Sequence, residues 1–196
     1  STDLAGARAD LFKGGLCVIS NPPRTNESAL KLAVDLADLL GAKPYFADPY
    51  EVDGLLGMVH LLPRLAAAAL ASAAFAQPGW PEARKLAGPA FAASTSLLEM
   101  DADSAKPGLD ALYNRENAVR LLDALMGSLQ EMRAEIAEGD EQALQQRLSD
   151  ARANRQQWLS QRKAGEWAER PLVEAPAKGS ILGRMFGLGK KPKAEN

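Results

Sequence analysis

Apolar residues recur at three- and four-residue spacing over Asp48 to Phe75, DPYEVDGLLGMVHLLPRLAAAALASAAF, more densely than anywhere else in the chain. Val52, Leu55, Leu56, Val59, Leu62, Leu65, Ala66, Ala69, Leu70 and Ala73 fall on one broad stripe, which predicts a buried central helix. Asp48 stands where an N-cap is wanted, Pro49 at the first helical position, and Gln77-Pro78-Gly79 closes the segment. Pro63 lies inside it. It brings no N–H to the Val59 carbonyl and crowds that carbonyl, so a kink is expected there. His60 and Arg64 flank the proline four residues apart, on one side of the helix. Spacing alone leaves open whether they meet a ligand or simply face water.

Before this helix the pattern is different. Leu16-Cys17-Val18-Ile19-Ser20 is a continuous apolar run between Gly15 and Asn21-Pro22-Pro23, the pattern of a strand buried on both faces. Thr25 or Asn26 then caps a helix with Leu30, Val34, Ala37 and Leu40 on its apolar face, and Gly41 stops it. Lys43 to Ala47 reads as a second strand, with Pro44 at an edge or at its start. A short helical turn is expected around Gly6 to Phe12. Strand, helix and strand in this order make a βαβ unit with parallel strands. Two strands and one crossover helix cannot cover both faces of a parallel sheet, so residues 1–47 read as the closing part of an α/β domain whose earlier strands were removed or come from another chain.

After it the chain reads as helical. Trp80 to Leu86 is a short helix, and Gly88-Pro89 opens another through Phe91, Thr95, Leu97 and Leu98 to Met100. A polar loop from Asp101 to Gly108 leads to a turn at Leu109 to Tyr113. From Arg115 to Glu138, Ala118, Leu121, Leu125, Leu129, Met132 and Ile136 form the seam of a packed bundle. Gly139 ends that helix and Asp140 caps a successor with Leu144, Leu148, Ala151, Arg155 and Trp158 in a stripe, predicting an antiparallel helical hairpin. Residues 166–196 turn to Pro, Lys, Gly and Ala and read as a flexible basic tail. Within it, Ile181 to Leu188 followed by Lys190, Lys191 and Lys193 is a short basic amphipathic stretch that could dock on a partner or a membrane surface, though its glycines weaken it as a helix.

Composition narrows the function. Hydrophobic residues at 46%, charged residues at 24% and a net charge of −2 are those of an ordinary globular protein and argue against nucleic acid or an anionic membrane as partner. One cysteine, Cys17, rules out an internal disulfide, and one histidine rules out a His/Cys zinc cluster; both fit a cytoplasmic protein. The central stretch is interrupted by His60, Pro63 and Arg64, which argues against a membrane span. The chain opens Ser-Thr-Asp without an initiating Met, as a processed or cut chain would. No glycine-rich dinucleotide turn, Walker loop, nucleophile elbow or HExxH is present. The residues by themselves spell out no complete active site.

Four stretches together resemble one family: GARADLFKGGLCVISNPPRT (Gly6 to Thr25), DPYEVDGLLGMVHLLPRLAAAAL (Asp48 to Leu70), GPAFAASTSLLE (Gly88 to Glu99) and NRENAVRLLDAL (Asn114 to Leu125). Their order and spacing resemble the C-terminal portion of the prephenate dehydrogenases, NAD(P)-dependent enzymes of tyrosine biosynthesis. The resemblance covers roughly residues 1–160. It implies a mainly α fold: a βαβ remnant of a Rossmann-like domain over 1–47, an all-helical dimerisation and substrate domain over 48–165, and the tail over 166–196. It also implies a homodimer, a cleft for a small dicarboxylate of the prephenate kind, and NAD or NADP as the family's cofactor. The match begins after the family's dinucleotide loop and its catalytic histidine motif. No cofactor site is therefore expected in this chain, and whether it is by itself an enzyme stays open.

The family's central helix carries D-x-L-x-A-x-x-S-H-L-P-H. Here Asp53 and Pro63 match, while the serine falls on His60, the first histidine on Leu61 and the second on Arg64. The family's substrate-binding arginine falls on Ser96, after Thr95. Four of the family's polar positions thus carry a different residue. Arg64 can stand in, since its planar guanidinium grips a carboxylate with two parallel bonds. The site implied is Arg64 as anion anchor, His60 as a further polar contact, and Thr95 and Ser96 as the facing wall. A second reading is a catalytically degenerate relative that keeps the dimer and binds another protein through its tail or its sheet edge.

Overall fold

A computed structural model of the chain describes residues 8–22, 24–99 and 106–165. The fold is mainly helical with a short βαβ at its start, as expected. The chain divides into two compact units, one of residues 1–49 with 148–196 and one of residues 50–147. The basic stretch of the tail lies outside the described residues.

In the first unit, β1 (Leu16–Ser20) and β2 (Lys43–Ala47) pair in parallel, Leu16 opposite Lys43 and Ser20 opposite Ala47. Helix α1 (Glu27–Leu39) makes the crossover. Asn26 rather than Thr25 caps it, its side-chain oxygen accepting the Ser28 N–H at 2.8 Å. Gly41, at φ 71°, ends it; the Ala42 N–H bonds back to the Ala37 carbonyl at 2.9 Å, a turn only a residue tolerant of positive φ makes cheaply. The expectation of a strand buried on both faces is corrected. Ile19 is buried, but Leu16 and Val18, on the opposite face, are 42% and 47% exposed. Helix α1 packs on the strands, and on the other face Tyr45 is half-buried while Lys43 Nζ donates to the Gly165 carbonyl at 3.4 Å, so that face is only partly covered.

In the second unit the central helix runs as α2 (Pro49–Leu56), a π-helical turn (Gly57–Leu61) and α3 (Leu62–Phe75). The π turn is how the helix accommodates Pro63. The Leu62 N–H reaches back five residues to the Gly57 carbonyl instead of four to Met58. The Met58 carbonyl would then look five residues on, to Pro63, which has no N–H. The proline is absorbed by widening the turn before it, and the helix continues.

Which face is inward also differs from the expected stripe. The buried residues are Gly57, Leu61, Ala67 and Ala71, whereas Leu55, Leu56, Val59 and Leu70 are exposed. Small side chains face the neighbouring helices because they let backbones approach. By length and composition alone, Pro49–Phe75 could cross a membrane.

The rest of this unit is α4 (Trp80–Ala83), α5 (Pro89–Thr95) with a 3-10 turn (Ser96–Leu98), α6 (Pro107–Tyr113), α7 (Arg115–Glu138) and the first turns of α8 (Glu141–Ala164). Phe75, Trp80 and Phe91 stack as a cluster with ring centroids 4.7 to 6.2 Å apart. Ala118 and Leu121 of α7 are buried. Farther along the seam Leu129 and Ile136 are 55% and 61% exposed. At the corner into α8, Gly139 adopts φ 71°, the Asp140 carboxylate accepts the Ala143 N–H at 2.9 Å, and Arg147 reaches back to Glu135 at 2.6 Å and Glu131 at 3.1 Å. Those carboxylates, Glu135 foremost, hold the Arg147 guanidinium above its ordinary range. The hairpin corner is therefore present, but the stripe on α8 is not a buried seam: Leu148 and Trp158 are both about half exposed.

Candidate functional site

A groove of about 400 Å³ opens along the central helix, lined by Asp53, Leu56, Gly57, His60, Leu61 and Arg64 on one side and by Asp110, Tyr113 and Asn114 of α6 and its junction with α7 on the other. Its volume is that of a small-molecule site. Helical periodicity aligns the first group, since positions 53, 57, 60 or 61, and 64 follow one face. His60 belongs to the π turn and Arg64 to the first turn after Pro63, so the proline's accommodation sets how these two side chains are presented. Arg64 supplies a cation, His60 a group that accepts or donates, Tyr113 a phenol and Asp53 and Asp110 two carboxylates.

His60 and Arg64 therefore meet in one groove. Thr95 and Ser96 do not line it. Their hydroxyls bond to carbonyls of their own helix, Thr95 to Phe91 at 2.9 Å and Ser96 to Ala93 at 2.9 Å. Leu61 is buried and offers no polar atom where the related motif has histidine.

Asp110, Tyr113 and Asn114 were not singled out by sequence. Asn114 bridges the groove's two sides: its Nδ2 donates to the Asp53 carbonyl at 2.8 Å, its Oδ1 accepts from Asn117 Nδ2 at 2.9 Å, and Asn117 Oδ1 accepts from Arg120 at 3.1 Å. The approach is close because Gly57 has no side chain. A Cβ there would lie 3.1 Å from Asn114 Nδ2 and 3.4 Å from Leu121 Cδ1.

A model of one protein family, described as prephenate dehydrogenase, dimerization domain, matches residues 48–150. The chain belongs to the prephenate dehydrogenase family. The match contains the whole groove and the central helix, so the apolar stretch Pro49–Phe75 is the core helix of a dimerization domain. Among solved structures, Synechocystis arogenate dehydrogenase is similar at TM-score 0.69 and 20% identity, over 79% of this chain and 56% of that one. Prephenate dehydrogenase from A. aeolicus in complex with hydroxyphenyl propionate and NAD+ is similar at TM-score 0.67 and 22% identity, over 76% and 51%. Another structure of the Aquifex aeolicus enzyme gives TM-score 0.56 and 20% identity, over 76% and 52%. The chain spans about half the length of these structures, and at such identities the likeness is one of fold. A comparison with curated proteins finds no match.

Among its described residues, the strand-to-helix turn between β1 and α1 offers no cradle for a nucleotide such as the NAD+ of the A. aeolicus complex. Pro22 has no N–H, its carbonyl takes both the Thr25 N–H at 3.1 Å and the Thr25 hydroxyl at 2.7 Å, and Asn26 is spent as a cap. A dinucleotide's pyrophosphate requires free N–H groups on a glycine-rich turn. These residues do not fit it.

Proposed function

We propose that this chain is the C-terminal portion of a prephenate dehydrogenase-like protein, supplying dimer contacts and one wall of a cleft for a small dicarboxylate of the prephenate kind. The observation that carries the reading is the convergence of Arg64 and His60 on a groove of small-molecule size within the family's dimerization domain. Arg64 anchors a carboxylate through its guanidinium and His60 adds a polar contact. Thr95 and Ser96 keep a place in the reading as the wall met by the substrate's far end. The oxidative decarboxylation itself draws NAD or NADP from the family's nucleotide-binding domain. The chain divides functionally into a Rossmann-like remnant over 1–47, a dimerization and substrate domain over 48–165 and a tail over 166–196, in a cytoplasmic homodimer.

Titration calorimetry with prephenate tests this. Losing a charge-assisted pair costs about 1.5 to 3 kcal/mol, so Arg64→Ala should weaken binding about ten- to a hundredfold. A folded dimer that gives no heat with prephenate, with Arg64→Ala changing nothing, would leave the second reading, a degenerate family member serving as a dimeric interaction module. Leu61, apolar where the related motif is polar, is the residue that favours it. The exposed seam of α7, Leu129 and Ile136 included, is the surface assigned to the dimer, and a monomeric mass in sedimentation would remove that assignment.

A further inference from the structure

Asn114 occupies the N-cap position of α7, yet its side chain makes no cap bond. Asparagine is among the best capping residues, and a cap is ordinarily worth about 1 kcal/mol. Here the amide instead reaches a main-chain carbonyl 61 positions away in sequence, that of Asp53. Its orientation is fixed from both ends. Nδ2 must face the Asp53 carbonyl because Oδ1 receives the Asn117 amide, which in turn receives Arg120. A flipped amide would set oxygen against oxygen. Gly57, in the π turn, leaves room for the bridge and admits no Cβ without displacing it.

We propose that Asn114 is a positioning residue for the groove: through its bond to the Asp53 carbonyl it holds the central helix and its π turn at a fixed distance from α7, and so fixes how His60 and Arg64 face the ligand. The ligand half of this rests on the functional reading above; the positioning half does not. Asn117 supports Asn114 from behind and does not line the groove.

The chain has a single histidine, so the Hε1 resonance of His60 in NMR has no other histidine beside it. Asn114→Ser removes the bridge but keeps a neutral residue that caps well, so α7 retains its start. In the ligand-free protein this variant should move the His60 resonance, Asn117→Ala should move it less, and Asn26→Ala, a cap in the other unit, should leave it unchanged. With prephenate, Asn114→Ser should bind about tenfold more weakly and Asn117→Ala about threefold, since reorienting an anchor costs about as much as one hydrogen bond. If the His60 resonance of Asn114→Ser superimposes on that of the unaltered protein, the positioning role is wrong. If the unaltered protein fails to bind prephenate, the functional reading falls while the ligand-free resonances still decide the role of Asn114.

Discussion

The contact between Gly57 and α7 can be measured against a neighbour one turn away. Gly54 and Gly57 both face α7, but a Cβ on Gly54 would meet Asn117 Oδ1 at an ordinary 3.5 Å, while one on Gly57 would meet Asn114 Nδ2 at 3.1 Å and Leu121 Cδ1 at 3.4 Å. Replacing a helical glycine by alanine gains about 0.8 to 1 kcal/mol in the backbone. Gly54→Ala should therefore stabilise the protein by nearly that amount. Gly57→Ala receives the same gain, then loses it. Asn114 must retreat from its 2.8 Å bond to Asp53, at about 0.5 to 1.5 kcal/mol, and Leu121 must shift in a packed site, at about 1 kcal/mol or more. The net is a destabilisation of about 1 kcal/mol. In an Asn114→Ala background the first of these costs disappears, so Gly57→Ala should become close to neutral, a coupling of about 1 kcal/mol. Denaturant unfolding followed by far-UV circular dichroism, at one protomer concentration throughout, compares the unaltered protein with the three single variants and the double one. Equal stabilisation by the two glycine substitutions would refute the claim that α7 is seated on Gly57.

Leu121→Ala empties a buried site beside the π turn and should cost about 2 to 3 kcal/mol in the same assay, with the midpoint displaced and the denaturant dependence unchanged. Gly139→Ala forces a side chain into positive φ and should cost about 1 kcal/mol. In the first unit, the Arg8 guanidinium 2.9 Å from Asp10 holds that carboxyl below its ordinary range. A carboxyl lowered on folding contributes stability above its unfolded value and loses it as pH falls through its folded value. Arg8→Ala should return the Asp10 titration, followed by carbon-13 NMR, to the ordinary carboxylate range, and an unchanged titration would exclude the pair as its cause.

Much of the architecture is legible from the chain. The caps at Asn26 and Asp140, the stops at Gly41 and Gly139 and the βαβ order follow from residue chemistry, and the four resembling stretches lead to the family. Pro63 announces a disturbance in the helix but not its form: a π turn, in which the Leu62 N–H goes to the Gly57 carbonyl, absorbs it. The direction of the central helix is misread for a definite reason. Periodicity finds where apolar side chains cluster, yet Leu55, Leu56, Val59 and Leu70 are exposed here, while closeness to α7 selects glycine at 54 and 57. Asn114 is missed because its partner, the Asp53 carbonyl, lies 61 positions away and on the main chain, where no side-chain pattern marks it. The signal that could have found it is a pair of matched spacings, Gly54 with Gly57 on one helix and Asn114 with Asn117 on another, two gaps three residues apart facing two amides three residues apart. Thr95 and Ser96 do not line the groove, and their hydroxyl protons go to carbonyls of the preceding turn, a local habit of these residues that a motif does not reveal.

The glycine and alanine strip has a further consequence. A single copy gains little by burying side chains so small, and in the homodimer proposed above a second copy takes exposed leucines and an isoleucine out of water. Folding and pairing then share one equilibrium. Diluting the protein should lower its melting temperature, and a stability quoted without a concentration would describe no particular state of the molecule.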